Sequence, residues 1–249
     1  MEWYKLILIT GAGFVAGFLN TMAGGGTLIT LPILIFLGLP PAVANGTNRI
    51  AILAQNISGI AGFRSKGIFI FPYNLWLSIS AFAGAILGAM IAVDISGALF
   101  NRILSFILII AVLFPILNRT IKKNVSPERI TSRYRVFGII AFFFIGIYGG
   151  FIQAGVGFLI IAALSMINNL SLVRSNSIKV FVICVYNISA LAVFIASGKI
   201  AWIPGLTMAV GNSAGAWIAS RWSVKKGDKW VEIFLIVAVI IMAIKLWFF

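Results

Sequence analysis

The sequence predicts an all-α polytopic membrane protein built from two inverted repeats of about five apolar segments each. Of its 249 residues, 61% are hydrophobic and 10% are charged, whereas a soluble domain carries about 25% charged residues. Stretches such as 6–48, 67–93 and 136–173 contain no charged residue, and a spanning helix needs about 20 apolar residues. Unbroken apolar runs favour helices over membrane strands, which alternate apolar and polar residues.

Ten apolar segments follow one another, and a basic loop divides them five and five. The segments run roughly over 5–20, 26–38, 42–63, 69–93, 98–117, 136–152, 157–169, 171–197, 200–221 and 229–249. We therefore divide the chain into a first membrane repeat (1–117), a basic cytoplasmic linker (118–135) and a second membrane repeat (136–249).

The two halves resemble each other at several positions that occur in the same order. The matched sets are Gly13, Gly17, Phe18 and Asn20 with Gly146, Gly150, Phe151 and Gln153; Ala23–Gly26 with Ala154–Gly157; Asn56 with Asn187; Gly67 with Gly198; and Gly84 and Gly88 with Gly211 and Gly215. Ordered matches of this kind predict an internal duplication, which is typical of transporter folds.

The distribution of basic residues predicts how the chain is oriented in the membrane. The net charge is +14, which in a soluble chain would suggest nucleic acid. Here twelve of the 19 basic residues lie in the loops 64–66, 118–135 and 221–229, and the positive-inside rule assigns those loops to the cytoplasm. Segment 42–63 then runs inward and its copy 171–197 runs outward, so the repeats are inverted and the protein is multi-pass in an inner membrane.

The first two segments of each half predict broken, re-entrant helical hairpins that meet near the midplane. Segment 26–38 spans about 13 residues, or roughly 20 Å of helix, against a hydrocarbon core of about 30 Å. Glycines at the breaks leave N–H groups open beside a helix N-terminus, which favours an anion, although small residues also permit close helix packing. The candidate ligands at the breaks are Asn20, Thr21, Gly24, Gly25, Gly26, Thr27, Gln153, Gly155 and Gly157.

Polar residues and one cation open the third segment of each half. The candidates are Asn45, Thr47, Asn48 and Arg49 in the first half and Asn176, Ser177 and Lys179 in the second. A charge within a membrane segment is expensive and is often functional, but both cations could also reach an interface by snorkelling. Gln55, Asn56 and Asn187 either line the path or form interhelical hydrogen bonds.

The residue inventory argues against an enzyme. The chain has no His, one Cys and five acidic residues, and none of the acids lies in the middle of a predicted span. We therefore expect no catalytic residue, no metal and no cofactor. The expected partners are a small anion and the lipid bilayer, without nucleic acid, and the chain is a monomer or a homodimer. An anion carrier and an anion channel both fit these residues.

The motifs resemble those of the TauE/SafE family of sulfite-exporter-like anion permeases. The resemblance covers about residues 6–245 and is most specific at Gly17–Gly26 and Ala44–Arg49, with a weaker second copy at Gly150–Gly157. It implies that the partner is a small inorganic or organosulfur anion and that the protein exports sulfite or an organosulfonate; the alternative is an anion channel or a permease for a different small anion. The two repeats predict that an exporter of this kind works by alternating access around a midplane site. The second copy departs from the pattern at Ser175–Lys179, so the two halves of the expected site are unequal.

Overall fold

The computed structural model describes residues 3–69, 71–117, 128–227, 229–230 and 233, and this part of the chain contains nine α-helices and no β-strand. The helices are α1 (Trp3–Met22), α2 (Thr27–Phe36), α3 (Pro41–Arg64), α4 (Tyr73–Asp94), α5 (Gly97–Leu117), α6 (Ser132–Phe151), α7 (Val156–Asn168), α8 (Leu172–Ala196) and α9 (Trp202–Lys226). Nine of the ten predicted segments are confirmed as helices, and the all-helical membrane fold class with them. Most of the tenth segment (229–249) and the linker residues 118–127 lie outside the described residues.

Four helices, α1, α4, α6 and α8, are long and apolar enough to cross a membrane. Helices α2 and α7 are too short, with 10 and 13 residues. Helices α3 and α9 reach 24 and 25 residues but carry more polar side chains. In α3 those side chains, Asn45 and Arg49 among them, are buried, so α3 belongs to the interior of the bundle.

Two of the most extensive helix contacts are made by glycine-rich pairs. Helix α1 packs on α9, where Gly13 and Gly17 face the α9 backbone and Gly211 faces the α1 backbone. Helix α6 packs on α4 in the same manner, with Gly146 against Ala81. A methyl group at any of these glycines would meet backbone atoms of the other helix, so the glycines permit close approach of two backbones.

The hairpin formed by α6 and α7 returns to the side from which it starts. The Arg129 N–H donates to the Asn168 carbonyl at 2.9 Å, and the Asn168 side-chain amide donates back to the Arg129 carbonyl at 2.8 Å. Arg129 precedes α6, and Asn168 ends α7. The 13 residues of α7 span about 20 Å, so the turn between the helices lies within the depth of the bundle.

Candidate substrate site at two helix breaks

The first break lies between α1 and α2. Helix α1 ends at Met22 and α2 begins at Thr27, and every residue from 20 to 28 is buried. Gly24 has a φ of 93°, a left-handed conformation that glycine adopts without steric cost. The chain thus turns inside the protein, where irregular backbone at membrane depth is tolerated.

The second break lies between α6 and α7 and has the same form. Helix α6 ends at Phe151 and α7 begins at Val156, and residues 152–158 are buried. Gly155 has a φ of 72°, and Gln153 has a φ of 58°, which is uncommon for a residue with a side chain. Buried left-handed residues therefore make both turns.

The two breaks touch each other. A methyl group at Gly24 would lie 2.5 Å from the carbonyl carbon of Gly157 and 2.9 Å from the Phe158 nitrogen, and a methyl group at Gly157 would overlap Gly24. The first break therefore packs directly on the first turn of α7. The sequence predicted that the two breaks approach each other, and the glycines make this contact possible.

Backbone donors at both breaks lack acceptors. The first hydrogen bonds of α2 run from Leu28 to the Gly25 carbonyl and from Ile29 to the Gly26 carbonyl. Among the described residues nothing accepts from the N–H groups of Gly25, Gly26 and Thr27, or from those of Gly155 and Gly157. Buried N–H groups are nearly always paired, and open N–H groups at a helix N-terminus suit an anion.

Arg49 projects from α3 to the end of α6. Its side chain is 0% exposed, so it does not snorkel. The guanidinium donates to the Gly149 carbonyl at 3.2 and 3.3 Å and to the Gly150 carbonyl, and it also donates to the side-chain oxygens of Gln153 and Asn187, each at 3.4 Å. Its carbon Cζ lies 4.7 Å from the centre of the Phe194 ring, which is within cation–π range.

Lys179 projects from α8 to the end of α1 and is 1% exposed. Its Nζ donates to the Asn20 carbonyl at 2.8 Å, to the Thr21 carbonyl at 3.1 Å and to the Asn176 side-chain oxygen at 2.6 Å. A lysine ammonium has three donors, and three acceptors engage it here. Each cation thus caps the last turn of a broken helix that lies in the other half of the chain.

Two asparagines complete these caps. The Asn45 amide donates to the Phe151 carbonyl at 2.7 Å, and the Asn176 amide donates to the Met22 carbonyl at 2.8 Å. The two residues play equivalent roles 131 positions apart, which is also the spacing between Asn56 and Asn187 in the sequence comparison. In this register Lys179 corresponds to Asn48, whereas the sequence comparison paired Lys179 with Arg49.

The other predicted residues are buried and mostly bonded within the protein. Thr47 accepts from the Ala201 N–H at 2.8 Å, Ser177 donates to the Ile68 carbonyl at 3.0 Å, Gln55 accepts from Asn212 at 3.3 Å, Asn56 donates to the Ile52 carbonyl at 2.7 Å, and Asn187 donates to the Arg49 carbonyl at 2.8 Å. Three side-chain oxygens among the candidates, those of Thr21, Asn48 and Asn56, have no hydrogen-bond partner among the described residues.

Sequence reasoning missed two residues that support the site. Phe194 lies against the Arg49 guanidinium, and the Tyr148 hydroxyl donates to the Ala154 carbonyl inside the second break. Nothing in the sequence distinguishes Phe194 from the other 20 phenylalanines. Tyr148 could have been noticed because it is one of only five tyrosines and immediately precedes Gly149–Gly150.

Comparisons with known proteins agree with this architecture. The chain is 29% identical to "Probable membrane transporter protein ORF9" of a Sinorhizobium species, covering 99% of this chain and 94% of that protein. It is 27% identical to a "Probable membrane transporter protein" of Haemophilus influenzae, with 97% and 94% coverage. It is 29% identical to "Probable membrane transporter protein YfcA" of Escherichia coli K12, with 93% and 86% coverage. No solved structure is significantly similar to the chain.

The family assignment rests on nearly the whole chain. Residues 9–246 match the family model described as "Sulfite exporter TauE/SafE". The match includes both helix breaks and both capping cations. This chain therefore belongs to the sulfite exporter TauE/SafE family of membrane proteins.

Proposed function

We propose that this chain exports a small sulfur-containing anion, such as sulfite or an organosulfonate, by alternating access around a site at the two helix breaks. The observation that carries the proposal is the contact of the two breaks, Gly24 on Gly157, beside five buried N–H groups without acceptors. A compact oxyanion offers several acceptor oxygens to such a site. Sulfite as the substrate class follows from the description of the family.

The two buried cations support the proposal that the substrate is an anion. Arg49 and Lys179 are buried, and no carboxylate among the described residues pairs with either cation. The acids in the described residues, Asp94 and Glu128, lie at the end of α4 and just before α6. Both cations are capped by neutral oxygens, so the caps add no negative charge that would offset the cations, and a positive charge attracts an anion strongly in a medium of low dielectric constant.

We further propose an inner-membrane protein of two inverted repeats with linker 118–135 in the cytoplasm. Two features support this arrangement. The pairs α1–α9 and α4–α6 correspond to each other when the two halves are exchanged, and each half caps the broken helix of the other. Inverted repeats around a central site are one arrangement by which transporters carry out alternating access.

Counterflow in liposomes tests the proposed activity. Purified protein is reconstituted, and uptake of radiolabelled sulfite is measured against internal sulfite, thiosulfate, sulfate, methanesulfonate or chloride. We expect saturable exchange that the sulfur anions support and chloride does not. Unsaturable, conductive flux would indicate that the protein is a channel and not a carrier. If no sulfur anion moves through folded protein, the proposed substrate class is wrong.

A pair of threonine variants locates the site. Thr27 begins α2 at the first break, whereas Thr30 lies one turn further along, and its hydroxyl contacts the Gly26 carbonyl at 3.5 Å. Thr27→Val removes a hydroxyl beside the open N–H groups, and we expect the KM for sulfite to rise about tenfold. Thr30→Val, which is equally buried, should change the KM by less than about twofold. Equal effects of the two substitutions on the KM would mean that the substrate site does not lie at the break.

A further inference from the structure

Each helix break places two opposite partial charges close together. A helix carries about +0.5 of a charge at its N-terminus and about −0.5 at its C-terminus. At the first break four residues separate the C-terminus of α1 at Met22 from the N-terminus of α2 at Thr27. An anion at the open N–H groups is therefore attracted by one helix end and repelled by the other, and the repulsion opposes binding.

Both buried cations donate to carbonyls of the repulsive helix ends. Lys179 donates to the carbonyls of Asn20 and Thr21, which belong to the last turn of α1. Arg49 donates to the carbonyls of Gly149 and Gly150, which belong to the last turn of α6. Neither cation contacts an open N–H group of α2 or α7. Each therefore neutralises a helix C-terminus and leaves the neighbouring N-terminus positive.

The arrangement is reciprocal between the halves of the chain. Arg49 comes from α3 and caps α6, whereas Lys179 comes from α8 and caps α1. The neutral amides of Asn45 and Asn176 bond the final carbonyls of the same helices. A cation and an asparagine thus cap a helix C-terminus twice, once with arginine and once with lysine. This argues that the positive charge at the helix end is more important for the cap than the shape of the side chain.

We infer that Arg49 and Lys179 are positioning residues that set the selectivity for anions by neutralising the C-terminal helix ends at the breaks, rather than by binding the anion themselves. The inference rests on the proposed function, since it concerns the same site. Its consequence is a dependence on substrate charge. Loss of one positive charge weakens the binding of a dianion more than that of a monoanion, whereas a general distortion of the site weakens both alike.

Calorimetric titration of the purified protein tests this consequence. The probes are sulfite at mildly alkaline pH, where it is a dianion, and methanesulfonate, which is a monoanion. We expect Arg49→Gln and Lys179→Gln each to weaken sulfite binding at least about tenfold and methanesulfonate binding no more than about threefold. Arg49→Lys and Lys179→Arg keep the charge and should retain the wild-type ratio of the two affinities.

A second variant covers the case in which the glutamine variants do not fold. Asn176→Asp places a carboxylate where the Asn176 oxygen already lies 2.6 Å from Lys179 Nζ, so it offsets the lysine charge while keeping the lysine bonded; it also removes the amide that donates to the Met22 carbonyl. It should lower the preference for sulfite over methanesulfonate. Asn74→Asp, at a buried asparagine in the first turn of α4, is the matched control and should leave that preference unchanged.

The outcomes separate the inference from the proposed function. Equal losses for both anions, or losses in the charge-keeping variants as large as those in the glutamine variants, would overturn the inference while the transporter assignment stands. If the wild-type protein binds neither anion, the proposed substrate class fails and the inference fails with it.

Discussion

At the scale of single residues, Gly24 combines two demands that only glycine meets. Its φ of 93° is left-handed, and a methyl group there would lie 2.6 Å from the Gly157 Cα atom. Gly38, between α2 and α3, has nearly the same φ of 91°, yet a methyl group there would have no atom within 4 Å. Substitutions at the two glycines therefore distinguish the effect of backbone strain from the effect of the contact between the breaks.

Gly24→Ala should lose both stability and transport, and Gly38→Ala should lose only a little stability. The left-handed conformation costs a residue with a side chain about 1–2 kcal/mol, which applies to both variants. Overpacking at the breaks adds about 1–3 kcal/mol in Gly24→Ala alone. Thermal unfolding in detergent and sulfite counterflow measure the two effects. Equal behaviour of the variants would mean that the contact of the breaks is not required.

The two cations show what the sequence could and could not predict at this scale. Arg49 and Lys179 stand out because each lies in an otherwise apolar stretch. Their carbonyl partners do not stand out, because these lie 100 and 159 residues away in the chain, and a carbonyl has no sequence signature. The sequence therefore identified the charges but left open whether they bind substrate, snorkel to an interface or cap a helix.

At the scale of helices, matched glycines explain which helices pack together. The pairs Gly84/Gly88 and Gly211/Gly215 were predicted from the sequence as repeats of one motif, and the structure assigns them contacts with α6 and α1. Without a hydrophobic driving force between helices in lipid, close backbone approach is a main source of association. Spacing predicts such a motif, but the partner helix depends on the tertiary fold.

Gly211→Ala should weaken the α1–α9 contact, whereas Gly11→Ala should not. A methyl group at Gly211 would overlap the Thr10 carbonyl oxygen and lie 2.7 Å from the Phe14 nitrogen, but at Gly11 it would meet nothing within 4 Å. We expect a loss of about 1–3 kcal/mol in the first variant and a gain of up to about 1 kcal/mol in the second from helix propensity. Unfolding in a graded detergent series measures both. A loss of similar size in Gly11→Ala would indicate a general intolerance of α1 to substitution.

At the scale of the whole molecule, apolar runs and glycine breaks were sufficient to predict nine helices and their order. The sequence also predicted re-entrant hairpins, but the contact that holds the end of α7 beside the start of α6, between Arg129 and Asn168, has no sequence signature. The inverted relation of the halves is a proposal that rests on the charge bias of the loops, whereas the correspondence of the packed pairs supports a repeat of either kind. If the halves are inverted, the ends of α3 and α8 lie on opposite sides of the membrane.

Serine residues provide a direct measurement of that relation. Ser65 follows α3 and Ser197 follows α8, both are exposed, and each lies just before a left-handed glycine, Gly67 or Gly198. In a Cys184→Ala background, which removes the single native cysteine, Ser65→Cys and Ser197→Cys provide two matched reporters.

Membrane-impermeant maleimide should label Ser197→Cys in intact spheroplasts and Ser65→Cys only in inside-out vesicles. The expectation follows from the basic residues Arg64 and Lys66 beside the first reporter, which the positive-inside rule assigns to the cytoplasm. Labelling of both reporters from one side would show that α3 and α8 end on the same face, and the repeats would then be parallel. Labelling on the reverse sides would keep the inverted repeats and reverse the orientation, so that the linker 118–135 would face outward.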